Sequence, residues 1–337
     1  MDYGRMEPHR RNQNLEILLK KINKILNPVE IKEIESFQDT KYPVVMLVGC
    51  ARCGATIIMQ WLSNSGIFSY PTNLVSRFYE APYIGALIQQ MLTSPEYNFK
   101  DEIIDFNNDI AFESDLGKTK GALSPHHFYY FWRRYFQYED IQYIEEELQK
   151  NVDVDGFRSE IAAVESVFNK PFALKGNFIN WNIPLVSGIF NKILFIHTKR
   201  HPFYNAQSLL EARKNFFGDI NRWYSFKPPE YEFLKELDPY TQVAGQVFFT
   251  NKAIEEGLNR IEKPRWFQSN YSEFCKTPKK LYERIIENLA VQGYETPDRN
   301  YKGPTSFRNS NIIRLSDKET EKIIDAYRDF SGTVITL

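Results

Sequence analysis

Three cysteines in 337 residues, Cys50, Cys53 and Cys275, are too few for a disulfide framework. Neither sign of charge is in excess: 42 Lys+Arg face 43 Asp+Glu, a formal net charge of −1. That leaves no basic surplus to neutralise a phosphate backbone, which argues against a nucleic-acid partner. No apolar run reaches the roughly 18–20 residues that a membrane span needs. The opening MDYGRMEPHRRNQNLEILLKK turns amphipathic instead of offering an apolar core with a small-residue cleavage site. Internal repeats, low-complexity tracts and a dividing linker are also missing. The expectation is a soluble, reduced, cytoplasmic protein without a membrane partner, its oligomeric state open between monomer and homodimer.

What is present is material for a large core: 42% hydrophobic residues, among them 26 Phe and 20 Tyr. Leucines and isoleucines at helical spacing predict a helix over residues 12–27, ended by Asn27-Pro28. PVVMLVG (43–49) is a short Val-rich run of the kind buried on both faces of a parallel sheet, and ATIIMQWLSN then reads as a helix closed by Gly66. Residues 71–92 read as helical but broken by Pro82, 94–125 as polar and irregular, and 139–150 and 157–169 as helices. FAL (172–174), KILFIHT (192–198) and RWFQSNY supply further strands, separated by helical patterns at 202–213 and 241–260 and followed by helices at 277–290 and 317–329. Strands alternating with helices predict an α/β fold with an open, mostly parallel sheet.

The stretch MLVGCARCGATIIMQWL, residues 46–62, supports two incompatible readings. Cys50-Ala51-Arg52-Cys53 is a CxxC at a helix start, where a thiol-disulfide oxidoreductase would need a lowered thiol pKa. No boundary marks where such a redox domain would stop, and Cys275 with scattered His offers no recognised zinc spacing. Gly49 and Gly54 with four residues between, then Ala55-Thr56, form instead a phosphate-binding loop in which Ala55 stands where the Walker pattern has lysine. Strand, turn and helix start aim backbone N–H groups and the positive helix end at one anion. Thr56 keeps a hydroxyl and Arg52 adds a cation, so the loop suits a single charged group better than a nucleoside triphosphate.

KILFIHTKRHPFYNAQSLLEAR (192–213) is a strand, then Arg200, then a Pro-initiated helix with Ser208 eight residues after the arginine. That pair could grip a second phosphate. Here the chain resembles the sulfotransferases that use 3′-phosphoadenosine-5′-phosphosulfate (PAPS) and release the bisphosphate PAP. The family's 5′-phosphosulfate loop, P-[RK]-S-G-T-T after the first strand, aligns with Ala51-Arg52-Cys53-Gly54-Ala55-Thr56. Its 3′-phosphate motif aligns with Arg200-His201-Pro202 and Ser208, about 150 residues further on. The resemblance implies a P-loop NTPase-like three-layer fold, a central mostly parallel sheet flanked by helices. It also implies a helical extension over residues 1–40, one sulfotransferase domain over 41–337, and insertions at about 70–150 and 215–240 covering the acceptor site.

The resemblance further implies that Arg52, Cys53, Gly54, Ala55 and Thr56 hold the 5′ end of PAPS, Arg200 and Ser208 the 3′-phosphate, and that no metal is needed. Thr305, Phe307 and Arg308 stand where some members place a loop around the adenine. Arg52 and Lys175 become stabilisers of the transferring sulfuryl. Three departures bear on this: Ala51, Cys53 and Ala55 replace the loop's proline, serine and first threonine. In addition, Lys175-Gly176-Asn177 replaces the Lys-Thr-His that many members carry, so the base that deprotonates the acceptor hydroxyl is open between Glu80, His126 and His127. The aromatic run HHFYYFWRRYF (126–136) could stack on an acceptor or pack in the core. The acceptor itself would be a small metabolite or glycan carrying a hydroxyl or amine. A kinase on a degenerate phosphate loop, the CxxC oxidoreductase, and a PAP-binding protein without turnover are the competing readings.

Overall fold

Four short segments make the centre of the fold: β1 (Val44–Val48), β2 (Ala173–Lys175), β3 (Ile193–Lys199) and β4 (Trp266–Asn270). In the computed structural model, which describes residues 4–97, 100, 102, 110–138 and 140–337, they pair in the order β2-β1-β3-β4. Every pairing is parallel, so the expected mostly parallel sheet is wholly parallel among the described residues. All five β1 residues are buried, because helices cover both faces of the sheet. Val44, Met46 and Val48 pack into one core with Phe131, Trp132, Phe157 and Phe178. Val45 and Leu47 point the other way, into a second core with Ile58, Trp61, Phe274 and Ile285. Helix, sheet and helix form three layers.

From β1 the chain runs to β2 on one side and then crosses to β3 on the other. The strand ends therefore diverge at β1, and the crevice above that point is where open α/β sheets bind ligands. Register places Leu47 beside Lys175 and Val48 beside His197, so the loop after β1, the end of β2 and the end of β3 meet at one edge.

The N-terminal helix does not end at Pro28; it runs Gln13–Ile34 with the proline inside. An internal proline removes one hydrogen bond and crowds the turn before it, at a cost of about 3 kcal/mol. Contacts along its length offset this. Asn23 donates to Arg77 O at 2.8 Å and accepts from Glu80 N at 2.7 Å, and Asn27 donates to Glu80 O at 2.9 Å. Beyond the proline, Glu30 is fully buried and accepts from Tyr83 N at 2.7 Å and Ile84 N at 3.0 Å. These amides open the helix Pro82–Thr93, so Pro82 begins a helix instead of breaking one. Burial pushes the Glu30 carboxyl up to about 7 against the pull of those two amides.

One further expectation needs correction. Among the described residues of 139–150, only Glu146–Gln149 is helical. Of the polar stretch 94–125, residues 98–99, 101 and 103–109 lie outside the described residues. Among the described residues no helix is long and apolar enough to cross a membrane.

Glu30 is thus the fastener between the N-terminal helix and the segment that follows. Glu30→Ala strands two buried amides, and urea unfolding should show a loss of about 2–3 kcal/mol. A loss under about 0.5 kcal/mol would mean that the N-terminal helix is held by its apolar contacts alone.

Candidate active site

The loop between β1 and the helix Ala55–Asn64 is held from below. Asn177 and Asn180, in the turn after β2, both donate to Gly49 O, at 2.6 and 3.0 Å. Arg52 sits in the left-handed region (φ 69°), which few non-glycine residues occupy. Two contacts hold it there: Arg200 Nη1 donates to its carbonyl at 3.2 Å, and its own Nε donates to Ser208 Oγ at 3.2 Å. The loop expected to bind the 5′ group and the helix expected to bind the 3′ group are therefore tied directly together. Gly54 follows at φ +100°, and a Cβ there would lie 2.4 Å from the Tyr271 ring, so a side chain would both strain the backbone and strike Tyr271. Gly54 also leaves the helix start without a side-chain cap.

Arg200 is 6% exposed and lies over the Tyr271 ring, 5.1 Å from its centroid. It donates to Asn311 Oδ1 at 2.7 Å and to Ser310 O and Oγ at 3.1 and 3.2 Å. Tyr271 OH lies 2.9 Å from Ser310 Oγ. Burial draws the Arg200 guanidinium below its ordinary range, and Tyr271 opposes that shift. Ser310 and Asn311 were not singled out in the sequence. The only signal was their place in the same loop as Thr305, Phe307 and Arg308.

These groups line a cavity of about 630 Å³ containing Arg52, Arg200 and Arg308. Glu113 is the one carboxylate among its described lining residues. Phe307 forms part of the wall, stacked on Phe274 with centroids 5.1 Å apart. Cys53, Gly54, Ala55 and Thr56 line the cavity; Ser208 does not, being buried against Arg52, and neither does exposed Thr305.

Lys175, 2% exposed, lies immediately behind the cavity wall. Its Nζ donates to Thr56 Oγ1 at 3.1 Å and lies 3.3 Å from His127 Nε2. The cation that position 55 lacks is thus supplied by the neighbouring strand. Burial lowers Lys175 to about 7. His127 Nε2 also lies 3.1 Å from Gly117 O. Burial first, then Lys175, His126 and Arg52, drives the His127 pKa well down, so its imidazole is neutral near pH 7. Gly117 makes this packing possible: at φ +88°, a Cβ would stand 2.9 Å from His127 Nε2 and 3.4 Å from Thr56 Oγ1. Gly117 falls in the stretch 94–125 that the sequence shows only as polar and irregular.

The aromatic run explains how His127 is positioned. Phe128, Phe131, Trp132, Tyr135 and Phe136 are buried in the sheet's core, which answers the choice between core and acceptor contact in favour of core. Two residues ahead of the helix Tyr129–Tyr135, the histidine is anchored by that packing. His126 faces elsewhere: its Nδ1 accepts from Phe128 N at 2.9 Å, and it lines a second cavity of about 550 Å³. Gly117 and His127 border both cavities. Glu80 borders neither; its backbone is fastened to the N-terminal helix through Asn23 and Asn27.

Cys50 and Cys53 are free, buried thiols. Burial pushes Cys53 up to about 11 and Cys50 higher still, the reverse of what a thiolate-based oxidoreductase requires. Among the described residues no three His, Cys, Asp or Glu are grouped to hold a metal ion.

No family model and no curated protein matches this sequence. Among solved structures, the chain is similar to a sulfotransferase from Mycobacterium avium, with a TM-score of 0.54 at 13% identity over 98% of this chain and 87% of that one. It is also similar to a sulfotransferase from Mycobacterium tuberculosis, with a TM-score of 0.50 at 10% identity, covering 94% of this chain and 82% of that one. At such identities the likeness is one of fold: the three-layer, P-loop-like α/β arrangement seen here is the one those structures have.

The contact between Lys175 and His127 can be tested without any ligand. Removing the lysine's charge in Lys175→Met should raise the titration point of His127, read from its imidazole NMR signals. An unmoved midpoint would mean that the two groups do not share a field.

Proposed function

We propose that this protein is a PAPS-dependent sulfotransferase that moves a sulfuryl group to a hydroxyl of a small metabolite or glycan. The observation that carries this reading is the meeting, over one crevice, of an uncapped helix start, Arg52 and Arg200, with Lys175 and His127 where that crevice joins a second one. The residues suit the donor. An uncapped helix start and three arginines against one lining carboxylate favour an anion with two charged ends, and Phe307 and Tyr271 offer aromatic surface for a base. The donor, when bound, supplies a sulfuryl group on a phosphate leaving group.

The chain's own contribution is electrostatic and positional. Sulfuryl transfer, like phosphoryl transfer, spreads negative charge over non-bridging oxygens and the departing phosphate. Gly54, Ala55 and Thr56 at the helix start and the Arg52 guanidinium are fixed before any ligand arrives, so little reorganisation opposes their action. Lys175 reaches the same place from β2. His127 takes the role of base: it is neutral at physiological pH, it borders the second cavity, and one ring nitrogen can accept the acceptor's proton. His126 has its Nδ1 engaged by Phe128 N, and Glu80 borders neither cavity, so both are weaker candidates. Arg200 holds the 3′-phosphate together with Arg308, while Ser208 acts through Arg52. Thr305, exposed outside the cavity, has no part in this arrangement.

Calorimetric titration with PAP beside Mg²⁺-ATP is the decisive test. Micromolar binding of PAP alone, weakened at least about tenfold in Arg200→Ala, is expected for a charge-assisted phosphate contact. No binding of PAP to the intact protein overturns the proposal. The pH dependence follows from Lys175, which in the free protein titrates near about 7. A bound dianion raises that pKa, so above pH 7 the complex holds a proton that the free protein has lost. Binding takes this proton up, and PAP affinity falls as pH rises from 7 towards the pKa of the bound state, by at most about tenfold per unit. Lys175→Met should bind more weakly at pH 7 and lose this slope.

A further inference from the structure

The second cavity has a charge pattern of its own. Arg77, Lys118 and His126 line it beside His127, and no carboxylate is found among its described lining residues. Its walls are pinned. Asn73 Nδ2 donates to Thr119 O and Oγ1, both at 3.2 Å, and to Gly121 O at 2.8 Å, while Leu74 N donates to Ala122 O at 2.9 Å. The backbone of Arg77 is held in the same way, its carbonyl accepting from Asn23 of the N-terminal helix at 2.8 Å, while the side chain is exposed. The fields of these cations converge on His126: burial first, then Lys175, Arg77 and Lys118, hold its imidazole down at about 4. With Nδ1 accepting from Phe128 N, that neutral ring carries its proton on Nε2 and is a hydrogen-bond donor. Two cations and a donor thus surround about 550 Å³, room for a molecule of one or two sugar rings.

We infer that the acceptor is a hydroxyl compound that already carries an anionic group, a carboxylate or a phosphate, which Arg77 and Lys118 hold in the second cavity while the hydroxyl lies at His127. The inference rests on the sulfotransferase reading and narrows its substrate class. Both cations lie outside the donor cavity, so they sort acceptors without touching the nucleotide. A neutral polyol would enter the same cleft with nothing to offset the arginine and lysine, whereas an anionic one gains two charge-assisted hydrogen bonds.

The test is equilibrium binding to full-length protein saturated with PAP, which occupies the donor cavity and leaves the second one to be probed. Glucuronate, glucose 6-phosphate and uncharged glucose are titrated calorimetrically into wild type and into an Arg77→Gln/Lys118→Gln double variant. Both positions are solvent-exposed, and thermal unfolding checks that the variant folds. At least one charged probe should bind in the millimolar range or tighter and weaken about tenfold or more in the double variant, with PAP affinity unchanged. Which charged probe binds identifies the anionic group as carboxylate or phosphate. Glucose binding as tightly as the charged probes, charged-probe affinity unaltered by the variant, or no binding of either charged probe with PAP in place would each overturn the inference while leaving the donor assignment standing. Failure of PAP itself to bind removes the sulfotransferase reading, and this inference with it.

Discussion

Parallel pairing of β1 with β2 on one side and β3 on the other fixes where Arg52, Lys175 and Arg200 begin. Because Leu47 lies beside Lys175 and Val48 beside His197, three chain segments leave the sheet within a few residues of the same edge. The loop after β1 then needs only local fasteners. Asn177 and Asn180 hold Gly49 from the β2 side, and Arg200 holds Arg52 from the β3 side. A one-residue slip of β2 against β1 would turn Lys175 to the opposite face and separate it from Thr56. Such a slip would also exchange Ala173 and Leu174 between the two separate cores they now occupy.

The distribution of positive charge departs from the usual nucleotide loop in a consistent way. A Walker lysine rises from the loop it serves. Here the loop keeps alanine at that position, and a lysine from the adjacent strand reaches the Thr56 hydroxyl instead. An arginine inside the loop is braced by a serine on another helix, and a second arginine is braced by a loop more than a hundred residues further on. Cations fixed from several directions crowd a single small volume. Such an arrangement offers positive charge to an anion from several sides at once.

Much of the frame was legible in the sequence because its signals are local. Runs such as VVMLV and ILFI are apolar without interruption, and Arg200 and Ser208 sit eight residues apart on a strand end and the helix after it. The proline readings failed because local propensity was overridden by contacts made elsewhere: Pro28 lies within a helix whose Asn23, Asn27 and Glu30 all bond to the segment 77–84. The pairing of Lys175 with His127 could not be read, since 48 residues and a crossover separate them and only the folded sheet brings them within 3.3 Å. Gly117 was illegible for a related reason: its role is to leave room for a ring ten residues away in the chain, and no spacing rule encodes an empty volume.

The segment around Gly117 also joins parts of the molecule that the sheet does not reach. It is fastened to the helix Ala55–Asn64 through Gln60, which donates to Ala111 O and Glu113 O at 2.8 Å each, and to the opposite side through Asn73. One strip of backbone is thereby the partition between two chambers. Gly117 and His127 face both, so part of the wall of one chamber is also the wall of the other. Glu113, Ser114 and Leu116 face the first chamber and Lys118 and Thr119 the second, so any change in this loop reshapes both at once.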